Sequence, residues 1–187
     1  FCERYPKEVG IPWSCTVRVD MLDENMVKKM YQANCVGVTF GLETHDETCR
    51  NVVLSKHLNN FHFEKASSLF YKYKIRQIAS IMLNLPGEDI TDNFKTVQYL
   101  KKLKVDFARV SLYTMSKKQP LVDRLLKFAQ ITKVPEVDNF NHLKLNDVTI
   151  FSTQREKILR FKQIFNLMLR FPVLEKLFLL LTIIPLN

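Results

Sequence analysis

The sequence predicts a parallel α/β fold, because short apolar runs alternate with amphipathic stretches between residues 13 and 113. The runs start 23, 41 and 31 residues apart, which suits a strand, a crossover helix and two loops and is too long for hairpins. They are also rich in β-branched and aromatic residues, as buried strands are. We therefore predict four neighbouring parallel strands in chain order, at residues 13–18, 36–42, 77–83 and 108–113.

The segments between the strands carry helix signals. Asp23 is placed to cap the first helix, and Thr91 or Asp92 to cap the third. Apolar side chains recur at spacings of three and four and define the faces that should pack on the sheet. These are Met26, Val27, Met30 and Tyr31 in the first helix, Phe63, Ala66, Phe70 and Tyr73 in the second, and Phe94, Val97, Leu100 and Leu103 in the third.

The last third of the chain predicts a different organisation. Residues 131–149 have no sustained period and contain Pro135, so we predict an irregular connection there. A further amphipathic helix should end before Pro172 and be followed by a short apolar helix. Their apolar faces are Ile158, Phe161, Phe165 and Met168, and then Leu174, Leu177, Phe178 and Leu181.

Composition describes one globular unit that is 187 residues long and 47% apolar, with 28 basic against 19 acidic side chains. The basic excess lies in residues 101–187, which hold 16 basic and 7 acidic residues. Because these residues are spread out and form no basic run, we interpret them as a solvated face and expect no nucleic-acid partner. A competing hypothesis has the C-terminal helices contact anionic lipid or nucleic acid through Lys157, Arg160, Lys162 and Arg170.

The chain starts at Phe1, so we expect a piece of a longer protein without a signal peptide. The longest uncharged apolar stretch near its end, residues 177–187, is too short to cross a bilayer. Cys2, Cys15, Cys35 and Cys49 match neither metal-knuckle nor disulfide spacing. We therefore expect reduced, mostly buried thiols in a cytoplasmic protein.

Polar residues follow all four predicted strands, and the carboxyl ends of parallel strands meet at one edge. We expect Arg18, Glu43, Glu88 and Tyr113 to share a cavity there. The Glu43 carboxylate can accept hydrogen bonds from an amine or from ribose hydroxyls, and Arg18 can bind a carboxylate. Two alternatives stay open: Arg18 and Glu43 neutralise one another, and Glu88 merely caps the helix that follows it.

Several short motifs occur in a consistent order. They are Trp13-Ser14-Cys15 leading to Arg18 and Asp20, Met30 to Cys35, Val38-Thr39-Phe40-Gly41-Leu42-Glu43, Lys56, and Leu85-Pro86-Gly87-Glu88. Together they resemble radical S-adenosylmethionine enzymes, most closely the cobalamin-binding subgroup. The resemblance implies a partial (βα) TIM-like barrel of six strands, of which these four are the third to the sixth, with C-terminal helices. It divides the chain into the C-terminal part of that barrel, residues 1–130, and an irregular connection with a helical extension, residues 131–187.

In that family, S-adenosylmethionine is cleaved reductively at a four-iron four-sulfur cluster, which gives a 5′-deoxyadenosyl radical for hydrogen abstraction or supports methyl transfer. The resemblance implies that Arg18, Glu43, Pro86, Gly87, Glu88 and Tyr113 line the site of that cofactor. The subgroup also implies cobalamin, an upstream domain of the same chain as partner, and a small or lipid-like substrate.

The family's cluster motif, Cys-x3-Cys-x2-Cys, is absent from these residues. We therefore expect the cluster ligands upstream and no activity from this piece alone. The alternative function is a degenerate barrel that has lost the cluster and acts as a binding or interaction module.

Overall fold

The computed structural model describes residues 1–85, 87–113 and 155–183. Four parallel strands lie side by side in chain order in one sheet, which confirms the predicted α/β fold class and strand order. They are β1 (Trp13–Thr16), β2 (Cys35–Glu43), β3 (Arg76–Leu83) and β4 (Phe107–Leu112). β1 ends two residues earlier than predicted, although the Val17 amide still donates to the Thr39 carbonyl at 2.8 Å.

Helices connect and follow the strands. In the described residues they are α1 (Tyr5–Glu8), α2 (Glu24–Gln32), α3 (Asn60–Lys72), α4 (Ile90–Lys102), α5 (Arg155–Arg170) and α6 (Glu175–Ile183). Short 3₁₀ turns occur at Val19–Met21 and Pro172–Leu174, and a π-helical turn at Cys49–Val53. α2, α3 and α4 are the crossover helices that the strand spacing predicts.

The helix caps agree with the sequence at α2 and differ at α4. Asp23 accepts a hydrogen bond from the Met26 amide, as predicted. The cap of α4 is Asp89, so the prediction of Thr91 or Asp92 is wrong. Asp89 accepts from both the Thr91 and Asp92 amides, and the Asp92 carboxylate accepts from the Asp89 amide in return. This reciprocal arrangement satisfies three amides, which a cap at either later position would not do.

The core lies between one face of the sheet and the helices α2 to α5. Phe40 of β2 packs against Phe63 and Phe70 of α3, with ring centroids 5.9 and 6.5 Å apart. The predicted face of α2 is only half right, because Met26 and Tyr31 are 45% and 51% exposed. A nine-residue helix buries a narrower stripe than the prediction assumed.

α5 packs against α4 and the outer edge of β4. Its predicted face, Ile158, Phe161, Phe165 and Met168, is fully buried. Next to this face, Asn166 Oδ1 accepts from the Ala108 amide at 2.8 Å, and Asn166 Nδ2 donates to the Ala108 carbonyl at 2.9 Å. Asn166 thereby satisfies backbone groups that an edge strand would otherwise leave unpaired.

α6 differs from its prediction, since Phe178 is buried whereas Leu177 and Leu181 are about half exposed. The irregular connection predicted for residues 131–149 lies outside the described residues, and the division at residue 130 stays a prediction. No helix in the described parts of the chain is long and apolar enough to span a membrane.

Candidate functional site

The carboxyl ends of the four strands define one edge of the sheet, since all the strands are parallel. Arg18 follows β1 by two residues, and Glu43 is the last residue of β2. Glu88 lies in the loop before α4, and Tyr113 directly follows β4. Pro86 lies outside the described residues. With Gly87, which lies in the same loop as Glu88, five of the six predicted site residues thus belong to this edge by topology.

Glu43 is held at the edge by an ion pair. Its Oε1 accepts from Lys56 Nζ at 2.6 Å, and the Glu43 side chain is 7% exposed against 32% for Lys56. The register between β2 and β3 shifts between Gly41 and Glu43, and Glu43 has a left-handed φ of 69°. This irregularity re-aims the carboxylate at the strand end, as bulges beside binding sites commonly do.

Gly41 gives the Glu43–Lys56 pair the space that it occupies. A Cβ at position 41 would overlap Glu43 Oε1 and lie 3.0 Å from Lys56 Nζ. At Gly37, on the same strand, an added Cβ would make ordinary contacts of 3.7 Å. The missing side chain at Gly41 therefore serves the ion pair and not the tight helix packing that sequence patterns equally allow.

Arg18 also contacts Lys56, through its guanidinium group. Its Nη2 donates to the Lys56 carbonyl at 3.1 Å, and its Nε lies 2.9 Å from Asp20 Oδ1. Arg18 and Glu43 therefore have separate ionic partners, so the alternative that they neutralise one another is wrong. Lys56 connects the two residues, through its carbonyl to Arg18 and through its ammonium group to Glu43.

A cavity of about 190 Å³ adjoins these residues. Its lining consists of Thr16, Val17, Arg18, Val19, Phe40, Gly41, Lys56 and Leu58. The volume is below the usual range for a whole drug-sized ligand and suits a fragment about the size of an amino acid. Of the four residues expected to share a cavity, Arg18 lines this one and Glu43, Glu88 and Tyr113 do not, so the shared cavity stays a prediction.

Arg50 fixes the segment that carries Lys56. The side chain is fully buried, and it donates to the carbonyls of Thr44 and Leu58 at 2.8 and 3.0 Å and to Asn60 Oδ1 at 2.6 Å. Its guanidinium lies 4.7 Å from the centre of the Phe63 ring. Arg50 is not among the residues predicted from the sequence, because nothing local distinguishes it from a surface arginine. Only the folded loop supplies its acceptors.

Glu88 forms a second polar centre beside β2. Thr44 Oγ1 donates a short hydrogen bond to Glu88 Oε1, while Glu88 Oε2 is buried and has no hydrogen-bond partner among the described residues. Burial raises the pKa of Glu88 to about 7, with a smaller contribution from the neighbouring carboxylates of Asp92, Asp46 and Asp89. Because Asp89 caps α4, Glu88 does not serve as its cap. Near neutral pH the Glu88 carboxyl group can hold or release a proton.

The remaining predicted residues have mainly backbone roles in the described structure. Gly87 is exposed and has φ 86°, as the predicted turn requires. Tyr113 is buried, its amide donates to the Leu83 carbonyl at 2.8 Å, and its carbonyl accepts from Asn84 Nδ2 at 3.3 Å. Burial raises the pKa of the Tyr113 phenol.

The described residues do not fit an iron–sulfur cluster. They contain no group of three His, Cys, Asp or Glu side chains placed to hold a metal ion. All four cysteines are free thiols; Cys35 and Cys49 are buried as predicted, whereas Cys2 and Cys15 are only partly so. Burial raises the pKa of Cys35 to about 11 and raises that of Cys49 as well, which disfavours the thiolate that a metal requires.

The fold of this chain is similar to folds of known proteins. No family model matches the chain. Coproporphyrinogen III oxidase from Escherichia coli, a radical SAM enzyme, matches 88% of this chain and 32% of its own, with a TM-score of 0.52 and 11% identity. The chain therefore shares its parallel α/β fold with this enzyme. At this identity the likeness extends to the fold alone.

Two further similarities cover less of the chain. An uncharacterized methyltransferase from Pyrococcus horikoshii is 25% identical over 106 residues, 57% of this chain and 23% of that protein. A radical S-adenosylmethionine methyltransferase from Kitasatospora setae, with cobalamin and a [4Fe-4S] cluster bound, matches 53% of this chain and 19% of its own at 18% identity, with a TM-score of 0.45. The matches thus span between a fifth and a third of each relative.

Proposed function

We propose that this chain is part of a radical SAM enzyme and that the Arg18, Glu43 and Lys56 side chains bind the methionyl end of S-adenosylmethionine. The observation that carries this proposal is that one of the two carboxylate oxygens of Glu43 has no hydrogen-bond donor among the described residues. Its Oε1 accepts from Lys56, while among the described residues no donor reaches Oε2. An ammonium group of a ligand is the natural donor for such an oxygen.

The neighbouring groups complement the rest of an amino-acid moiety. Arg18 is exposed and uses its Nε and Nη2 atoms for protein contacts, which leaves other guanidinium hydrogens for a ligand carboxylate. The 190 Å³ cavity supplies space beside Arg18, and it is also lined by Gly41 and Lys56, which both contact the Glu43 carboxylate or the space that it occupies. The fold supports the assignment, because ligands of parallel α/β proteins bind at the carboxyl ends of the strands.

The roles of this chain's residues are binding and orientation. When bound, the cofactor would supply the radical chemistry of the family. Lys56 orients the Glu43 carboxylate, Gly41 keeps the space open, and Arg50 fixes the loop that carries Lys56. Glu88 would line the other side of the edge, with Gly87 giving backbone access. The cluster ligands would lie outside these residues, and cobalamin remains a prediction of the sequence resemblance alone.

The test compares two ligands that differ in one part. Calorimetric titration of the chain with S-adenosylmethionine and with 5′-methylthioadenosine, which lacks the amino-acid moiety, separates the two ends of the cofactor. In the Glu43→Gln variant we expect S-adenosylmethionine to bind about 10- to 100-fold more weakly, as for loss of a hydrogen bond to a charged group. The affinity for 5′-methylthioadenosine should stay within about twofold, because that ligand has no ammonium group.

Glu24→Gln is the matched control, because it removes an exposed ion pair, with Lys72, that takes no part in the candidate site. It should bind both ligands as the unaltered chain does. If Glu43→Gln weakens both ligands equally, or neither, the proposed orientation is wrong. If the unaltered chain binds neither ligand, the S-adenosylmethionine assignment fails.

The enzyme and the degenerate module differ in what the parent protein does with the bound cofactor. Reconstituted anaerobically with iron, sulfide and a reductant, the parent should release 5′-deoxyadenosine. Binding without release would favour the module.

A further inference from the structure

Three grooves run together at the amino ends of the strands, opposite the candidate site. Their volumes are about 260, 660 and 590 Å³. The first and second share Tyr71 and Lys104, and the second and third share Lys74 and Arg76. They therefore form one continuous depression, called the basal groove below, that crosses the sheet from β1 to β4.

The basal groove is strongly basic. Its described lining contains five cations, Lys72, Lys74, Arg76, Lys102 and Lys104, against two carboxylates, Glu64 and Asp106. Lys72 and Lys102 pair with Glu24 and Glu64, whereas in the described parts of the chain Lys74, Arg76 and Lys104 have no carboxylate partner. This excess of cations in a concave surface produces a local positive potential that attracts an anionic ligand.

Two of these lysines have strained backbone conformations. Lys74 and Lys104 have left-handed φ angles of 54° and 56°, each at the position after the last turn of a helix. Glycine is the usual residue there, because a side chain in this conformation is unfavourable. Asn34 occupies the equivalent position after α2, with φ 66°. Using lysine at two of three such positions favours a role for the charge over a role for the turn.

Exposed tyrosines line the same groove. Tyr71 and Tyr31 are 61% and 51% exposed, and Lys104 Nζ lies 3.7 Å from the centre of the Tyr71 ring. Cations along a groove with interleaved aromatic rings are what single-stranded nucleic acid requires, since cations contact its phosphates and bases stack on the rings. A membrane surface would instead need a protruding apolar face.

We propose that the basal groove binds single-stranded nucleic acid through Lys74, Arg76 and Lys104, with Tyr71 as a stacking surface. The sequence argued against this partner because its basic residues form no run. Folding gathers them from the α3–β3 connection, the start of β3 and the α4–β4 connection. This proposal is independent of S-adenosylmethionine binding at the opposite edge.

Fluorescence anisotropy with labelled twelve-nucleotide oligo(U) and oligo(dT) tests the proposal, and the two probes separate RNA from DNA. The informative variant is Lys74→Gly/Lys104→Gly, which removes two charges and relieves two strained residues. We expect its melting temperature to rise while its affinity falls at least about fivefold at 0.1 M salt. The slope of log affinity against log salt should become shallower by about 1.4, since each single-strand phosphate contact contributes about 0.7.

Lys28→Gln/Lys65→Gln is the control, because it removes the same charge from exposed residues that do not line the groove. It should lose less than about twofold in affinity. Equal losses in both double variants would mean that binding follows net charge and would overturn the groove assignment. Absence of oligonucleotide binding would also overturn it. Preferential binding to phosphatidylserine vesicles would assign the groove to a lipid surface, and preferential binding to polyglutamate would assign it to an acidic protein.

Discussion

Replacing Gly41 by alanine should disrupt the Glu43–Lys56 pair without touching either charged residue. The added Cβ would overlap Glu43 Oε1 and lie 3.0 Å from Lys56 Nζ. The carboxylate must therefore move, and the 2.6 Å contact with Lys56 is lost or lengthened. Gly37→Ala is the matched control, because its Cβ would meet only ordinary contacts of 3.7 Å on the same strand.

The magnitude follows from how far the pair is buried. Exposed ion pairs contribute up to about 1 kcal/mol, whereas removing a partner from a buried pair costs about 3 to 5 kcal/mol. Glu43 is nearly buried and Lys56 is about one-third exposed, so we place the loss at about 1 to 3 kcal/mol. Replacing glycine by alanine in a strand raises the free energy of unfolding by about 0.5 to 1 kcal/mol, and this gain is present in both variants. Because that gain is common to both variants, we expect Gly41→Ala to be about 1 to 3 kcal/mol less stable than Gly37→Ala.

Urea unfolding followed by circular dichroism gives both free energies of unfolding. A double-mutant cycle strengthens the test, because in a Glu43→Ala background the side chain that meets the new Cβ is absent. In that background Gly41→Ala should cost nothing, so the coupling energy should account for the whole effect. Equal stabilities of Gly41→Ala and Gly37→Ala, or an unchanged penalty in the Glu43→Ala background, would refute the reasoning.

Two further predictions concern Glu88 and Asn166. Burial raises the pKa of Glu88 from its ordinary 4.5 to about 7, so its contribution to stability is complete below pH 4.5 and is lost as the pH rises through 7. Glu88→Gln should therefore flatten the decline in the free energy of unfolding between pH 5 and pH 8 by about 1 to 3 kcal/mol, and an unchanged decline would contradict the buried-acid assignment. Asn166→Ala removes both hydrogen bonds to Ala108 and should cost about 1 to 2 kcal/mol while accelerating hydrogen exchange of the Ala108 amide. Asn166→Asp, which keeps the acceptor, should protect that amide better than alanine does, and equal exchange in both variants would contradict the edge-capping role.

The sequence alone determined the sheet and most of its packing. Strand spacing excluded hairpins, and periods of three and four located buried residues such as Phe63, Phe70 and Phe161, because both signals are set by local backbone geometry. It also located Arg18 and Glu43 at strand ends, since a parallel sheet brings its carboxyl ends to one edge. The cap of α4 was misplaced by two or three residues, because several polar residues there compete for the same amides.

The tertiary structure decided which charged groups meet. Lys56 pairs with Glu43 across 13 residues, and the basal groove collects its cations from connections about 30 residues apart. Nothing local distinguishes the buried Arg50 from the exposed lysines, since their environments depend on segments distant in sequence. A charged side chain can satisfy its hydrogen bonds in many ways while the chain is unfolded. Only the packed loops fix which acceptor it contacts, and with it the chemistry available at each end of the sheet.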